Sequence, residues 1–257
     1  MARVQPAERR CNVRIHEILA AATMITPDTR PLYLLADSQP LFWQSGAFLT
    51  SICQASGNSQ PNVAYIGASN GDSAEAYAIF EAAMEQVVTG RTHWVRATFS
   101  PQDQQFLQTA DVLVLAGGDV ENGWNVFTST GLGELIANRY RAGAVLVGVS
   151  AGAIQCGKYA SVSSGDGAQK LIETFGWVDL IVDAHDERRD WQTLAATIQL
   201  LEGSAKGMGI PHGGALIAHP DGTFEPAGRA IEEFVFMDGS LRRSVLLADG
   251  ARHVLDI

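Results

Sequence analysis

Apolar and polar positions follow two rhythms along this chain. Pro31-Leu32-Tyr33-Leu34-Leu35-Ala36 is an unbroken apolar run that stops at Asp37-Ser38-Gln39, the pattern of a strand buried on both faces. Phe42 to Ser56 repeats its apolar positions at helical spacing, and Val63 to Ala68 is a second strand-like run. Ser69-Asn70-Gly71-Asp72 supplies a turn and cap before a helix over Ala74 to Val88. Trp94-Val95-Arg96-Ala97 reads as a short strand, and Pro101 opens a short helix at the first-turn position that tolerates proline. Asp111 to Ala116 forms the next strand and runs into Gly117-Gly118-Asp119. After a helix over Leu132 to Arg141, the run Ala144 to Val149 delivers the chain into Ser150-Ala151-Gly152-Ala153.

Valine- and leucine-rich strands alternating with helices predict an α/β fold: a mostly parallel, doubly wound sheet covered by helices on both faces. In such sheets the functional groups gather at the carboxyl ends of the strands. Beyond residue 209 the rhythm changes. Short strands at Gly209-Ile210, Ala215 to Ala218, Thr223 to Pro226, Glu233 to Phe236 and Ser244 to Leu247 are separated by turns such as His219-Pro220-Asp221-Gly222. They predict a C-terminal antiparallel extension that prolongs the sheet by hairpins. No linker divides the chain, so residues 31–257 read as a single domain, preceded by an N-terminal extension over 1–30 with a short helix at Ile15 to Met24.

Composition narrows the partners. A formal net charge of −10 makes the average surface repel polyanions, which argues against nucleic acid and anionic lipid. The expected partner is a small molecule or a peptide, with a homodimer as the expected assembly if the chain self-associates. No apolar run is long enough for a membrane span and the start lacks a signal core, so a cytoplasmic protein is expected. Cys11, Cys53 and Cys156 form no CxxC pair, which fits reduced thiols better than a disulfide framework or a structural zinc. The six histidines show no HxH or HExxH spacing, so no metal and no cofactor is expected.

Gly148-Val149-Ser150-Ala151-Gly152 matches the nucleophile-elbow pattern, in which a serine is presented on a sharp strand-to-helix turn. The flanking glycines serve a turn so tight that side chains there would collide with the neighbouring strand and helix. An elbow serine needs backbone donors for the developing oxyanion, and Gly118 and Ala151 are the natural ones if the strand ending in Gly117-Gly118 lies beside Ser150. Cys156 lies on the following helix and not at the elbow, which disfavours an amidotransferase with a cysteine nucleophile.

Three stretches together make the pattern specific: Ala110 to Asp119, Arg141-Ala142-Gly143 through Gly148 to Ala153, and Val182-Asp183-Ala184-His185 followed by Arg189. They resemble the peptidase E and cyanophycinase family of serine peptidases over roughly residues 31 to 235. The resemblance implies a class I glutamine amidotransferase-like fold and hydrolysis of a peptide or β-aspartyl (isopeptide) bond next to an aspartyl residue. It implies Ser150 as nucleophile, His185 as general base, Gly118 and Ala151 as oxyanion donors, and Arg189 with Asp119 at the substrate. It also implies an acidic residue soon after the serine, for which Asp166 is the candidate and Glu173 the reserve. The chain departs from cyanophycinases at Val120, where they carry glutamine, and at Asp186, where they carry phenylalanine, so cyanophycin itself is not singled out as substrate. An α/β-hydrolase esterase with His253 as base, and a catalytically silent binding protein on the same scaffold, are the competing expectations.

Overall fold

The computed structural model describes residues 29–163, 169–202 and 205–255. The first half alternates strand and helix: β1 (Leu32–Leu35), a 3-10 stretch over Gln39–Gly46, α1 (Ala47–Ala55), β2 (Val63–Ile66), a 3-10 turn over Ala68–Asn70 and α2 (Ala74–Met84). It continues through β3 (Thr92–Val95), α3 (Pro101–Leu107), β4 (Val112–Leu115), α4 (Val120–Thr130), α5 (Leu132–Arg141), β5 (Val145–Val149) and α6 (Ala151–Cys156). The second half holds β6 (Tyr159–Ser163), β7 (Gln169–Glu173), β8 (Leu180–Ala184), α7 (Gln192–Leu200) and β9 (Lys206–Ile210). It ends in β10 (Ala215–Ala218), β11 (Phe224–Ala227), β12 (Ile231–Met237), β13 (Ser240–Leu246) and β14 (Arg252–Leu255).

The apolar runs form a seven-stranded sheet in the order β11-β10-β1-β5-β4-β2-β3. The strands from β1 to β3 in that order are parallel, while β10 and β11 add to the β1 edge as an antiparallel hairpin. Every residue of β1, β2 and β4 is buried, because both faces are covered, as continuous apolar runs require. On one face Tyr33, Leu35, Val112, Val114 and Val147 pack on Leu49 and Ile52 of α1 and Phe80 of α2. On the other, Leu34, Leu113, Leu115 and Leu146 pack on α5 and α6 and, beyond them, on Val182 of β8 and Met208 of β9.

Only part of the C-terminal region prolongs this sheet. The strands β12, β13 and β14 join β9 and β8 in a separate five-stranded sheet, ordered β14-β13-β12-β9-β8, in which β8 and β9 run parallel. The reason lies in what they cover: Ile181, Trp191 and Phe234 form their own core with Leu194 and Ile198 of α7. Two other differences from the sequence pattern are local. The region Phe42 to Ser56 is not one helix, because Trp43, Gln44 and Ser45 leave helical geometry and Gly46 turns at φ 85° before α1 begins. Helix α4 is not among the expected elements; it buries Trp124 and Phe127 and is capped in a standard way, the Asp119 carboxylate accepting from the Asn122 N–H at 2.7 Å. No helix among the described residues is long and apolar enough to cross a membrane.

Trp191 anchors the second sheet. It is 1% exposed, and a Cβ added to Gly209 of β9 would come within 2.6 Å of its ring, so indole and strand backbone are in direct contact. Trp191→Ala is expected to cost about 3–5 kcal/mol, measured by chemical denaturation.

Candidate active site

The carboxyl ends of β1, β4 and β5 meet at Ser150. The backbone there is strained, with φ 50° and ψ −110°, and is held by the Ser150 N–H donating to Leu35 O of β1 at 2.8 Å. Such a conformation persists only when its surroundings over-determine it. The two glycines flanking the turn make it feasible. A Cβ on Gly148 would lie 2.5 Å from Gly152 O and 2.7 Å from Ala153 N, and one on Gly152 would collide with Leu115 O of β4. Strand, turn and helix therefore touch backbone to backbone.

The loop leaving β4 comes equally close. A Cβ on Gly117 would lie 3.2 Å from the Ser150 Cβ. Gly118 sits at φ 137°, where a Cβ would run into Ser69 O, and the next N–H, of Asp119, donates to that same carbonyl at 2.7 Å. Among the described residues nothing accepts from the Gly118 N–H, and the N–H of Ala151, in the first turn of α6, has no intrahelical acceptor. These two donors stand on either side of Ser150 in the loop and helix that meet there.

A buried amide fixes the loop. Gln155 on α6 is 0% exposed, its Nε2 donates to Val120 O at 3.0 Å, and its Oε1 accepts from Ser69 Oγ at 3.2 Å. One side chain thus ties α6, the start of α4 and the 68–70 turn together. Sequence reasoning passed over it, although a glutamine in the apolar helix Ala151-Gly152-Ala153-Ile154-Gln155-Cys156 was a visible signal.

His185 arrives from the second sheet. It follows β8 at φ 48°, its N–H donates to Ile210 O at 2.9 Å, and its Nε2 lies 2.8 Å from Ser150 Oγ. Behind it stands His212, which the sequence did not single out: the two rings stack with centroids 5.2 Å apart at 23°. The His212 Nδ1 is 2.9 Å from Asp37 Oδ2, and that carboxylate also accepts the N–H groups of Gly213 and Gln39, each at 2.8 Å. Burial pushes the Asp37 carboxyl up, but these hydrogen bonds and the His212 ring outweigh it and hold it below the usual carboxylate range.

The remaining expected residues are dispersed. Arg189 projects with 70% of its side chain exposed, its Nε donating to the buried Asp186 carboxylate at 2.6 Å. Asp119 caps α4. Glu173 lies on β7 opposite Tyr159, and His253 is exposed on β14, an outer strand of the second sheet. Asp166 lies outside the described residues.

A strained serine between strand and helix, hydrogen-bonded to a histidine and flanked by free backbone donors, has the groups an acyl-transfer site requires, and its class is that of the serine peptidases. The chain belongs to peptidase family S51, whose model matches residues 17–225. Among solved structures it resembles a peptidase from an acI-B1 Actinobacterium, with a TM-score of 0.63 and 17% identity over 90% of this chain and 99% of that one. It also resembles a protein assigned as peptidase E from Listeria monocytogenes EGD-e, with a TM-score of 0.58 and 17% identity over 77% of this chain and 98% of that one. No curated protein matches the sequence.

Asp183, two residues before His185, gives the region a pH signature. Burial raises its carboxyl from 3.8 to about 6, against a hydrogen bond from the Ala184 N–H; Asp186 adds to the rise and Arg189 opposes it. Since the folded value lies above the unfolded one, the associated stability is complete below pH ~4 and lost as pH climbs through 6. Asp183→Asn should abolish that loss, making the variant more stable than the parent by on the order of 3 kcal/mol above pH 7 and little different near pH 3. Denaturation midpoints across this range provide the check.

Proposed function

We propose that this serine peptidase works through a Ser150 acyl-enzyme with His185 as base, hydrolysing a peptide or β-aspartyl (isopeptide) bond next to an aspartyl residue. The observation that carries the proposal is the 2.8 Å contact between Ser150 Oγ and His185 Nε2 on a turn that the surrounding backbone holds strained. In this reading Nε2 takes the hydroxyl proton as Oγ attacks the scissile carbonyl. The N–H groups of Gly118 and Ala151 receive the oxyanion, and the imidazolium returns its proton to the departing amine. Water then attacks the acyl-enzyme by the same route in reverse.

Two assignments complete the proposal. Asp166 is the carboxylate we assign to orient His185, with Glu173 as reserve. Arg189 is the group we assign to the aspartyl carboxylate: its Nε is committed to Asp186, while its exposed guanidinium keeps further donors for a two-pronged contact. Asp119, as the cap of α4, acts by fixing the loop that carries Gly118.

Ser150→Ala and His185→Ala should each lower kcat by several orders of magnitude with an unchanged fold, and Ser150→Ala should lose covalent labelling by a fluorophosphonate. An active Ser150→Ala protein would end the proposal. Arg189→Ala should reduce discrimination between aspartyl and asparaginyl substrates, and Arg189→Lys should restore it only in part, because a point charge does not reproduce the fork. Matched kcat/KM values for α- and β-linked aspartyl peptides report both effects.

A further inference from the structure

Two histidines meet at the joint between the sheets. The parallel register of β8 and β9 sets Ala184 beside Ile210, so His185 and the Pro211-His212 step leave the sheet at the same end. The His185 N–H donates to Ile210 O at 2.9 Å, which fixes where its side chain starts. Its ring then lies against that of His212, the centroids 5.2 Å apart and the planes 23° from parallel, inside the range of roughly 4.5–7 Å over which aromatic rings pack.

His212 has half of its side chain exposed, yet it is held from several sides. Its turn is closed by the Gly214 N–H donating to Pro211 O at 2.8 Å and tied to the end of β1 by the Ala36 N–H donating to Gly214 O at 3.0 Å. Its own backbone N–H donates to Glu187 Oε1 at 3.3 Å. Its Nδ1 lies 2.9 Å from Asp37 Oδ2, and an ionised carboxylate only accepts, so Nδ1 carries the hydrogen. Asp37 is itself fixed by the N–H groups of Gly213 and Gln39.

Resting on the assignment of Ser150 and His185 above, we propose that His212 is a positioning residue for the base: a plate, anchored by Asp37, that fixes the plane of the His185 ring and so keeps Nε2 on Ser150 Oγ. The outer torsion of a histidine has broad wells, and rotation within them swings Nε2 away from its target at little cost. A second ring on the face of the first blocks that rotation. The plate does not choose between the two flipped orientations of the imidazole, which is the work assigned to the Asp166 carboxylate, so the two supports restrain different motions. His212 acts on the reaction only through His185.

The test follows the rate at which a fluorophosphonate labels Ser150, a reaction that needs the base and no knowledge of the substrate. It is run on the parent protein, His212→Ala, His212→Phe and His212→Asn. Phenylalanine keeps a ring without the Asp37 bond, asparagine keeps a donor for Asp37 without the ring, and the half-exposed position leaves room for both. His212→Ala should be labelled about 10- to 100-fold more slowly, the scale of loss that a misplacement of about 1 Å produces. His212→Phe should regain most of the rate, and His212→Asn should stay near alanine. Denaturation midpoints should stay close to the parent's, and with cleaved peptides the loss should fall on kcat and leave KM nearly unchanged. Recovery by asparagine, or none by phenylalanine, makes His212 a tie between the sheets and nothing more, and overturns the proposal; so do equal rates in all four proteins. His185→Ala separates the two levels. If it is not labelled while the His212 variants react like the parent, only the plate is wrong. If the parent is not labelled at Ser150, or His185→Ala is labelled as fast as the parent, the catalytic assignment fails and the positioning role fails with it.

Discussion

The turn at Ser150 depends on backbone atoms approaching where side chains would not fit. Gly148 and Gly152 let the β5 strand, the turn and α6 lie against one another and against Leu115 of β4, and the Ser150 N–H is tied to Leu35 of β1. Three adjacent strands therefore hold one positive-φ serine. A non-glycine residue in that conformation is unfavourable by on the order of 1–3 kcal/mol, and it persists because the parallel core on both faces leaves the turn no room to relax.

Around this turn the polar groups are few and well placed. Gln155 spans the interior to hold the Gly118 loop, and Asp37 collects two backbone N–H groups and the His212 ring. Both side chains pair backbone groups of separate segments, Val120 O for Gln155 and the N–H groups of Gly213 and Gln39 for Asp37. The same bonds determine where the backbone donors and the imidazole sit relative to the serine.

The sequence disclosed the elements whose signals are local. The runs Leu32 to Leu35, Val63 to Ile66, Val112 to Leu115 and Val145 to Val149 are all strands of the parallel sheet, and glycine spacing marked the turn at Ser150. His185 was different. Nothing in Val182-Asp183-Ala184-His185 sets it apart from the other histidines, and it was found through the family resemblance alone. The Asp37 and His212 pair spans 175 residues of chain, and no local pattern encodes such a meeting. Hairpin signals near the end of the chain were readable, but they do not say which sheet a hairpin joins. That was decided by the apolar cluster in which Phe234 and Ile181 pack on Trp191 and on Ile198 of α7.

Serine and histidine ride on different sheets. Ser150 is delivered by β5 of the seven-stranded sheet and His185 by β8 of the five-stranded one, and Asp37 with His212 and Gly213 fastens the two at the same level. The 2.8 Å contact is therefore a dimension of the joint between sheets, and in the proposed mechanism a slippage of about 1 Å there would uncouple proton transfer while both hydrogen-bonded ladders stayed whole. In that mechanism catalytic competence is a gauge of interlayer alignment, lost to small shear well before secondary structure would report any damage.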